Sequence, residues 1–272
     1  LQGSFPIHPS VASRIDPTPR PRRSGALAGH DTTPAAGRPV RRRVQHPQNH
    51  DIRPEFGYSS RMTIDHLSDC SFRSLGLSQC LLDALDEMGW ERCTPIQAAT
   101  LPIALAGRDV AGQAQTGTGK SAAFLLATLH YLMETPVAAE KRGPWAIVLA
   151  PTRELALQIH RDADTLGRFT GMRFAAIYGG TGYEQQRRAL LDGVDIIIGT
   201  PGRIIDFYKQ GVFRLDSIEV VVLDEADRMF DLGFIADIRY LFRRMPPPPR
   251  RLNYLFSATL SQRVLELAYE HM

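Results

Sequence analysis

The stretch that most constrains this chain is Ala114-Gln115-Thr116-Gly117-Thr118-Gly119-Lys120-Ser121. A short apolar run, Val110-Ala111, leads into it, and Ala122-Ala123-Phe124-Leu125-Leu126 leaves it with the look of a helix. A strand, a glycine-rich turn, Lys-Ser and a helix, in that order, describe a phosphate-binding loop. Backbone N–H groups of Gln115, Thr116, Gly117, Thr118 and Gly119 and the helix N-terminus would surround the phosphates. Lys120 would reach the β and γ oxygens, and the Ser121 hydroxyl would help hold Mg²⁺. Ala114 stands where the pattern usually begins with glycine, so a fortuitous Gly-Thr turn is the competing explanation.

Such a loop needs a parallel sheet around it, and the apolar runs supply one. Helical spacing of Leu81, Leu82, Leu85 and Met88 predicts a helix closed by Gly89. Thr94-Pro95-Ile96-Gln97 reads as a helix start with a capping box, Gln97 reaching back to the Thr94 N–H. Strands are expected at 145–150, 174–178, 195–199, 218–223 and 252–256, with helices from about Arg153, at 183–191, after Pro201, at 234–244 and from Gln262. Alternation of this kind predicts an α/β fold, a parallel doubly wound sheet sandwiched by helices. Ligands of such sheets gather at the carboxyl ends of the strands. The polar motifs that follow the strands should therefore converge on one edge.

Charge separates a tail from this core. Residues 1–61 hold ten Arg, no Lys, four acidic residues and nine prolines, and read as disordered. They could be a nucleic-acid-binding arm, a targeting segment or upstream-translated sequence before a natural start at Met62. The remaining residues carry 22 basic and 25 acidic side chains, so nucleic-acid contact there must come from placed residues rather than bulk charge. Cys70, Cys80 and Cys93 form no metal-binding or disulfide pattern and suit a reducing cytoplasm. No membrane partner is expected, the nearly apolar run 122–133 being too short to cross a bilayer.

Val220-Val221-Val222-Leu223 runs into Asp224-Glu225-Ala226-Asp227. An acidic pair at a strand's carboxyl end beside a phosphate loop can hold Mg²⁺ through Asp224 and activate the attacking water through Glu225, the alternative being an acidic helix cap. With Ser257-Ala258-Thr259 downstream, the chain from about Phe72 resembles the DEAD-box RNA helicases. That resemblance implies a RecA-like fold and ATP as the nucleotide. It implies an adenine-recognising segment of about residues 70–98, with Phe72, Trp90 and Gln97; Trp90 stacks where Phe or Tyr is more usual, and Gln97 reads the adenine edge. Two explanations thus compete for Gln97. The resemblance further assigns RNA contacts to Thr152 and Arg153, to Gly179 and Gly180, and to Thr200, Gly202 and Arg203. Strand-to-helix capping explains each of those turns singly. Asp227, Ser257 and Thr259 would couple hydrolysis to strand separation.

Residues 93–97, 228–234 and 264–272 look most like the bacterial RhlB-type members, which work in RNA turnover with an endoribonuclease assembly. The family has two RecA-like domains, and only the first, residues 62–272, is expected here; alone it should bind ATP, turn it over slowly at best and not unwind. A non-hydrolysing ATP- and RNA-binding regulatory fragment, and a P-loop ATPase acting on DNA, are the alternatives.

Overall fold

The computed structural model describes the backbone of Val11–Ala12 and all of residues 67–135 and 143–272. The expectations for the rest of the 1–61 tail and for Met62 lie outside the described residues. The core is a six-stranded parallel sheet of β2 (Val110–Gln113), β3 (Ala146–Leu149), β4 (Phe174–Ile177), β5 (Ile196–Gly199), β6 (Val220–Leu223) and β7 (Leu252–Ser257). Its order is β2-β7-β6-β3-β5-β4. A two-residue strand β1 (Val11–Ala12) adds antiparallel to the free side of β2, so two residues of the tail cover an otherwise open edge.

Strand side chains alternate between two buried faces. Ala146, Val148, Ile196, Ile198, Val220 and Val222 point to one core, and Ile147, Leu149, Ile197, Val221 and Leu223 to the other. Because both faces are covered, the strands read as unbroken apolar runs. On the first face lie α1 (Gln79–Glu87), α2 (Pro95–Leu105), α3 (Lys120–Glu134) and α4 (Arg153–Leu166), through Leu81, Ile96, Phe124 and Ile159. The second face takes α5 (Tyr183–Leu191), α6 (Pro201–Lys209), α7 (Ala226–Asp231), α8 (Ile235–Phe242) and α9 (Gln262–His271), through Leu190, Ile204, Met229, Ile238 and Val264.

The expected α/β architecture is therefore the observed one, with most elements shortened by a residue or two. The short helix α7 was not expected. It starts directly after the acidic pair and is split from α8 by Gly233, whose φ of 78° ends one helix before Phe234 caps the next. Among the described residues no helix is long and apolar enough to cross a membrane.

Candidate nucleotide and nucleic-acid site

All six core strands run parallel, so their carboxyl ends share one edge, and a polar motif follows each. Motifs after β2, β6 and β7 occupy one half of that edge; those after β3, β5 and β4 occupy the other.

The first half is built around Lys120, the first residue of α3. Gly117 and Gly119 hold φ of 86° and 89°, a left-handed backbone that lets the loop turn into the helix. A Cβ on Gly119 would lie 2.6 Å from Gln97 Nε2 and 3.0 Å from Thr94 Oγ1, so only glycine fits this cradle. The loop also closes on itself through Thr118 Oγ1, which donates to the Gln115 carbonyl at 2.7 Å. Lys120 Nζ stands 3.0 Å from Asp224 Oδ1 and 3.7 Å from Glu225 Oε1. Lys120, Asp224 and Glu225 are 2%, 0% and 8% exposed, which makes this a buried three-charge cluster joining β2 to β6. Burial pushes the Asp224 carboxyl above its ordinary value; the nearby Lys120 ammonium opposes that shift without cancelling it.

Glu225 has φ 54° and ψ 52°, among the described residues the one non-glycine with positive φ. That backbone costs on the order of 1–3 kcal/mol and persists where the surroundings impose it. Here Thr116 Oγ1 donates to Glu225 Oε1 at 2.7 Å, and Arg228 Nη1 lies 3.7 Å from Oε2. Its carboxylate is thus aimed into the loop before any ligand arrives.

In the cluster Asp224 Oδ2 is buried with no hydrogen bond among the described residues, while Lys120 Nζ, paired with Asp224 Oδ1, keeps donor capacity to spare. A buried ammonium with donors to spare beside an open anionic oxygen fits a phosphate and a hydrated cation. No group of three or more His, Cys, Asp or Glu among the described residues could cage a metal. That suits Mg²⁺, which keeps its waters and takes few protein ligands beside substrate phosphates. Asp224 and the buried Ser121 hydroxyl would hold it.

β7 supplies the link to the neighbouring loop. The Ala114 N–H donates to the Ser257 carbonyl at 2.9 Å, and the Asp227 N–H donates to Ser257 Oγ at 3.1 Å. Asp227 Oδ2 accepts from the Thr259 N–H at 3.0 Å and from Thr259 Oγ1 at 3.1 Å. Partial burial raises the Asp227 carboxyl, but hydrogen bonds to Ser257, Thr259 and nearby backbone outweigh it and hold the group below the ordinary range.

Gln97 reaches this half from α2. Its Oε1 accepts from the Thr94 N–H at 2.8 Å, and its Nε2 donates to the Gly119 carbonyl at 3.0 Å. The helix-capping contact therefore exists, and the same amide is tied to the phosphate loop; the second Nε2 hydrogen remains for a ligand. Phe72 and Trp90 line a cleft of about 150 Å³ with Leu82, Leu85 and Asp86. Phe72 is 2% exposed and packs in the core, whereas half-buried Trp90 packs at its border, so of the two rings Trp90 has surface to offer.

In the other half, Thr152 caps α4, its hydroxyl accepting from the Leu155 N–H at 3.2 Å. Exposed Arg153 lies over the Tyr178 ring at 4.9 Å, beside Gly180, whose φ is 101°. Thr200 begins α6, its N–H donating to the Ile177 carbonyl at 2.9 Å. Gly202 has open space where a Cβ would point, as does Gly179. Arg203 stacks on Tyr183 and Phe207 at 4.9 and 5.7 Å, and its buried Nη1 has no hydrogen bond among the described residues. Tyr178 and Tyr183, which position the two arginines, carry no signal in the sequence beyond their place after β4. Thr152→Ala is expected to cost about 1 kcal/mol of stability through the lost cap, measured by urea denaturation. Arg153→Ala, an exposed stacked side chain, is expected to change that midpoint little.

Comparison with known proteins decides the lineage. The DEAD/DEAH box helicase family model matches residues 94–267. The chain belongs to the DEAD/DEAH box helicase family. This DEAD-box chain is 60% identical over 211 residues to an ATP-dependent RNA helicase RhlB of Pseudoalteromonas atlantica, covering 78% of this chain and 50% of that protein. To the RhlB of Escherichia coli it is 57% identical over 213 residues, covering 78% and 51%. A crystal structure of a DEAD box protein from Methanococcus jannaschii superposes with a TM-score of 0.66 at 36% identity, covering 74% of this chain and 53% of the other. The DEAD-box chain thus spans about half the length of the curated relatives it matches. Its similarity to RhlB proteins bears out the expected RhlB-type resemblance.

Proposed function

We propose that this domain binds Mg·ATP and RNA at one edge of its sheet and, in the whole protein, couples ATP hydrolysis to RNA duplex unwinding. The observation that carries the reading is the buried cluster of Lys120, Asp224 and Glu225, with its open Asp224 Oδ2, set against a loop whose Gly119 has no room for a side chain. Lys120 binds the β- and γ-phosphates. Asp224 and Ser121 hold Mg²⁺, which shields phosphate charge when bound. Glu225 orients and deprotonates the attacking water. Trp90 stacks on the adenine and Gln97 hydrogen-bonds its edge.

Asp227, bonded to Ser257 and Thr259, joins the turns after β6 and β7 and would couple hydrolysis to strand separation. Thr152, Arg153, Gly179, Gly180, Thr200, Gly202 and Arg203 form the RNA half. Their chemistry is hydroxyls, open glycine backbone and stacked arginines, which suits phosphate and 2′-OH contacts without base reading. Residues 62–272 alone are proposed to bind ATP and turn it over slowly, unwinding requiring more chain. A cytoplasmic RNA-degradation assembly with an endoribonuclease is the proposed setting, resting on the RhlB resemblance.

The decisive experiment compares ATPase stimulation of the whole protein by single-stranded RNA and by DNA of the same sequence. Stimulation by RNA and little by DNA is expected. Equal stimulation would mean that the β3-β5-β4 turns do not read the 2′-OH, and absence of turnover with either would favour a non-hydrolysing ATP- and RNA-binding regulator.

A further inference from the structure

Two of the three cysteines face each other across the short antiparallel contact that pins the segment before α1 to the segment before α2. Ser71 and Arg92 are bridge partners there. The Phe72 N–H donates to the Glu91 carbonyl at 3.2 Å, and the Cys93 N–H donates to the Cys70 carbonyl at 2.8 Å. Cys70 and Cys93 are the next positions along and share that one backbone bond, the Cys93 carbonyl accepting instead from the Ser68 N–H at 2.8 Å; residues so placed across an antiparallel contact have Cα atoms about 5.5 Å apart. A disulfide spans Cα separations of about 4.4–6.8 Å. Cys70 Sγ lies 3.9 Å from the Ser71 carbonyl and 3.9 Å from Ser74 Oγ, so it is not locked into a strong bond elsewhere. Cys93 is wholly buried in the first core, while Cys70 is half-buried at its border. The pair closes the base of the loop that carries Phe72 and Trp90, and Cys93 immediately precedes Thr94, whose N–H is held by Gln97.

We propose that Cys70 and Cys93 are a modification site, a dithiol that hydrogen peroxide oxidises to an intramolecular disulfide at the base of the adenine segment. Cys70, the sulfur that solvent can reach, releases its proton and attacks one peroxide oxygen; the O–O bond breaks, and the departing hydroxide takes up a proton as water. Cys70 is then a sulfenic acid. The Cys93 sulfur attacks the Cys70 sulfur, the S–S bond forms, the S–O bond breaks, and the hydroxyl leaves as water with the Cys93 proton. Two thiols and one peroxide give one disulfide and two waters. Burial, with the adjacent Cys70, pushes the Cys93 thiol up to about 12, so Cys70 and not Cys93 is the thiol that meets peroxide first. Drawing the sulfurs to about 2.05 Å moves Cys93 and with it Thr94, loosening the Thr94–Gln97 hydrogen bond beneath the phosphate loop. The expected consequence, which rests on the proposed nucleotide site, is nucleotide affinity weaker by about five- to tenfold, the value of one neutral hydrogen bond.

The test treats the full chain with hydrogen peroxide, blocks residual thiols with iodoacetamide and digests with trypsin without reductant. Arg61, Arg73, Arg92 and Arg108 place Cys70, Cys80 and Cys93 in three separate peptides. A cross-linked pair of peptides 62–73 and 93–108, lost on adding dithiothreitol and absent in Cys70→Ser, is the expected result. Cys70 over-oxidised with Cys93 alkylated as a free thiol, or links through Cys80, would overturn the proposal. Cys80→Ser, which leaves the pair intact, should still form the link and guards against misfolding of the Cys70 variant. Titration with a fluorescent ATP analogue then compares oxidised and re-reduced protein. A disulfide with unchanged affinity removes the coupling and leaves the site; reduced protein that binds no nucleotide sinks the nucleotide reading and leaves the disulfide standing.

Discussion

Lys120→Ala is expected to weaken Mg·ATP binding by about ten- to a hundredfold, the value of a charge-assisted hydrogen bond of about 1.5–3 kcal/mol to phosphate. It is also expected to destabilise the protein in a pH-dependent way. Lys120 Nζ is 3.0 Å from Asp224 Oδ1, and Asp224 has no exposed surface. Removing the cation leaves a buried carboxylate, a defect worth about 3–5 kcal/mol if the charge persists. Burial already raises the Asp224 carboxyl above its unfolded value, and losing Lys120 takes away the main opposing influence. A group whose folded pKa is raised favours the folded state when protonated. The variant's stability should therefore be highest at low pH and fall as pH rises past the unfolded carboxylate value near 3.9. Urea midpoints at pH 5 and pH 8 measure this, with the larger loss at pH 8. Adding Asp224→Asn should recover stability at pH 8 without recovering nucleotide binding. Tight nucleotide binding by Lys120→Ala would remove the lysine from the site.

The strands were legible because both faces of the sheet are buried, which turns β3, β5 and β6 into four-residue apolar runs with no polar face to blur them. Short capping motifs were legible for the same local reason, since Thr94 to Gln97 and Thr152 to Leu155 contact partners three residues away. Strand order was not legible, and the site depends on it. Thr116 meets Glu225 across 109 positions only because β2 and β6 both flank β7. Nothing near either residue announces that contact. Gln97 posed a choice between two partners, and the folded chain keeps the cap on the Thr94 N–H while adding a contact nothing nearby announced, the Gly119 carbonyl. Phe72, taken as an adenine contact, packs as a core side chain because the turn at 72–75 tucks it inward. Helix α7 escaped because six residues are too few for a periodicity to emerge.

Glu225→Gln is expected to lower RNA-stimulated ATP hydrolysis by about 10²–10⁴-fold, the usual contribution of a placed general base, while nucleotide binding persists. The substitution keeps shape and volume. Glutamine can still accept the Thr116 hydroxyl, so the side chain stays where the 2.7 Å contact holds it. What disappears is the ability to take a proton from water. Binding should remain within a few-fold of wild type, or tighten slightly, because a negative charge 3.7 Å from Lys120 is removed from a phosphate site. The backbone supports this division of labour. A glutamate in the left-handed region beside a wholly buried Asp224 is strain concentrated on one side chain, and a residue needed only for packing would not require it. Thr116→Val serves as the graded control. It leaves the base intact but frees its orientation, so turnover should fall by less than in Glu225→Gln at unchanged nucleotide affinity. Single-turnover phosphate release with saturating RNA, beside titration with a fluorescent ATP analogue, separates the two steps. Turnover by Glu225→Gln within tenfold of wild type would assign the base to another residue and leave Glu225 as an anchor for Thr116 and Arg228.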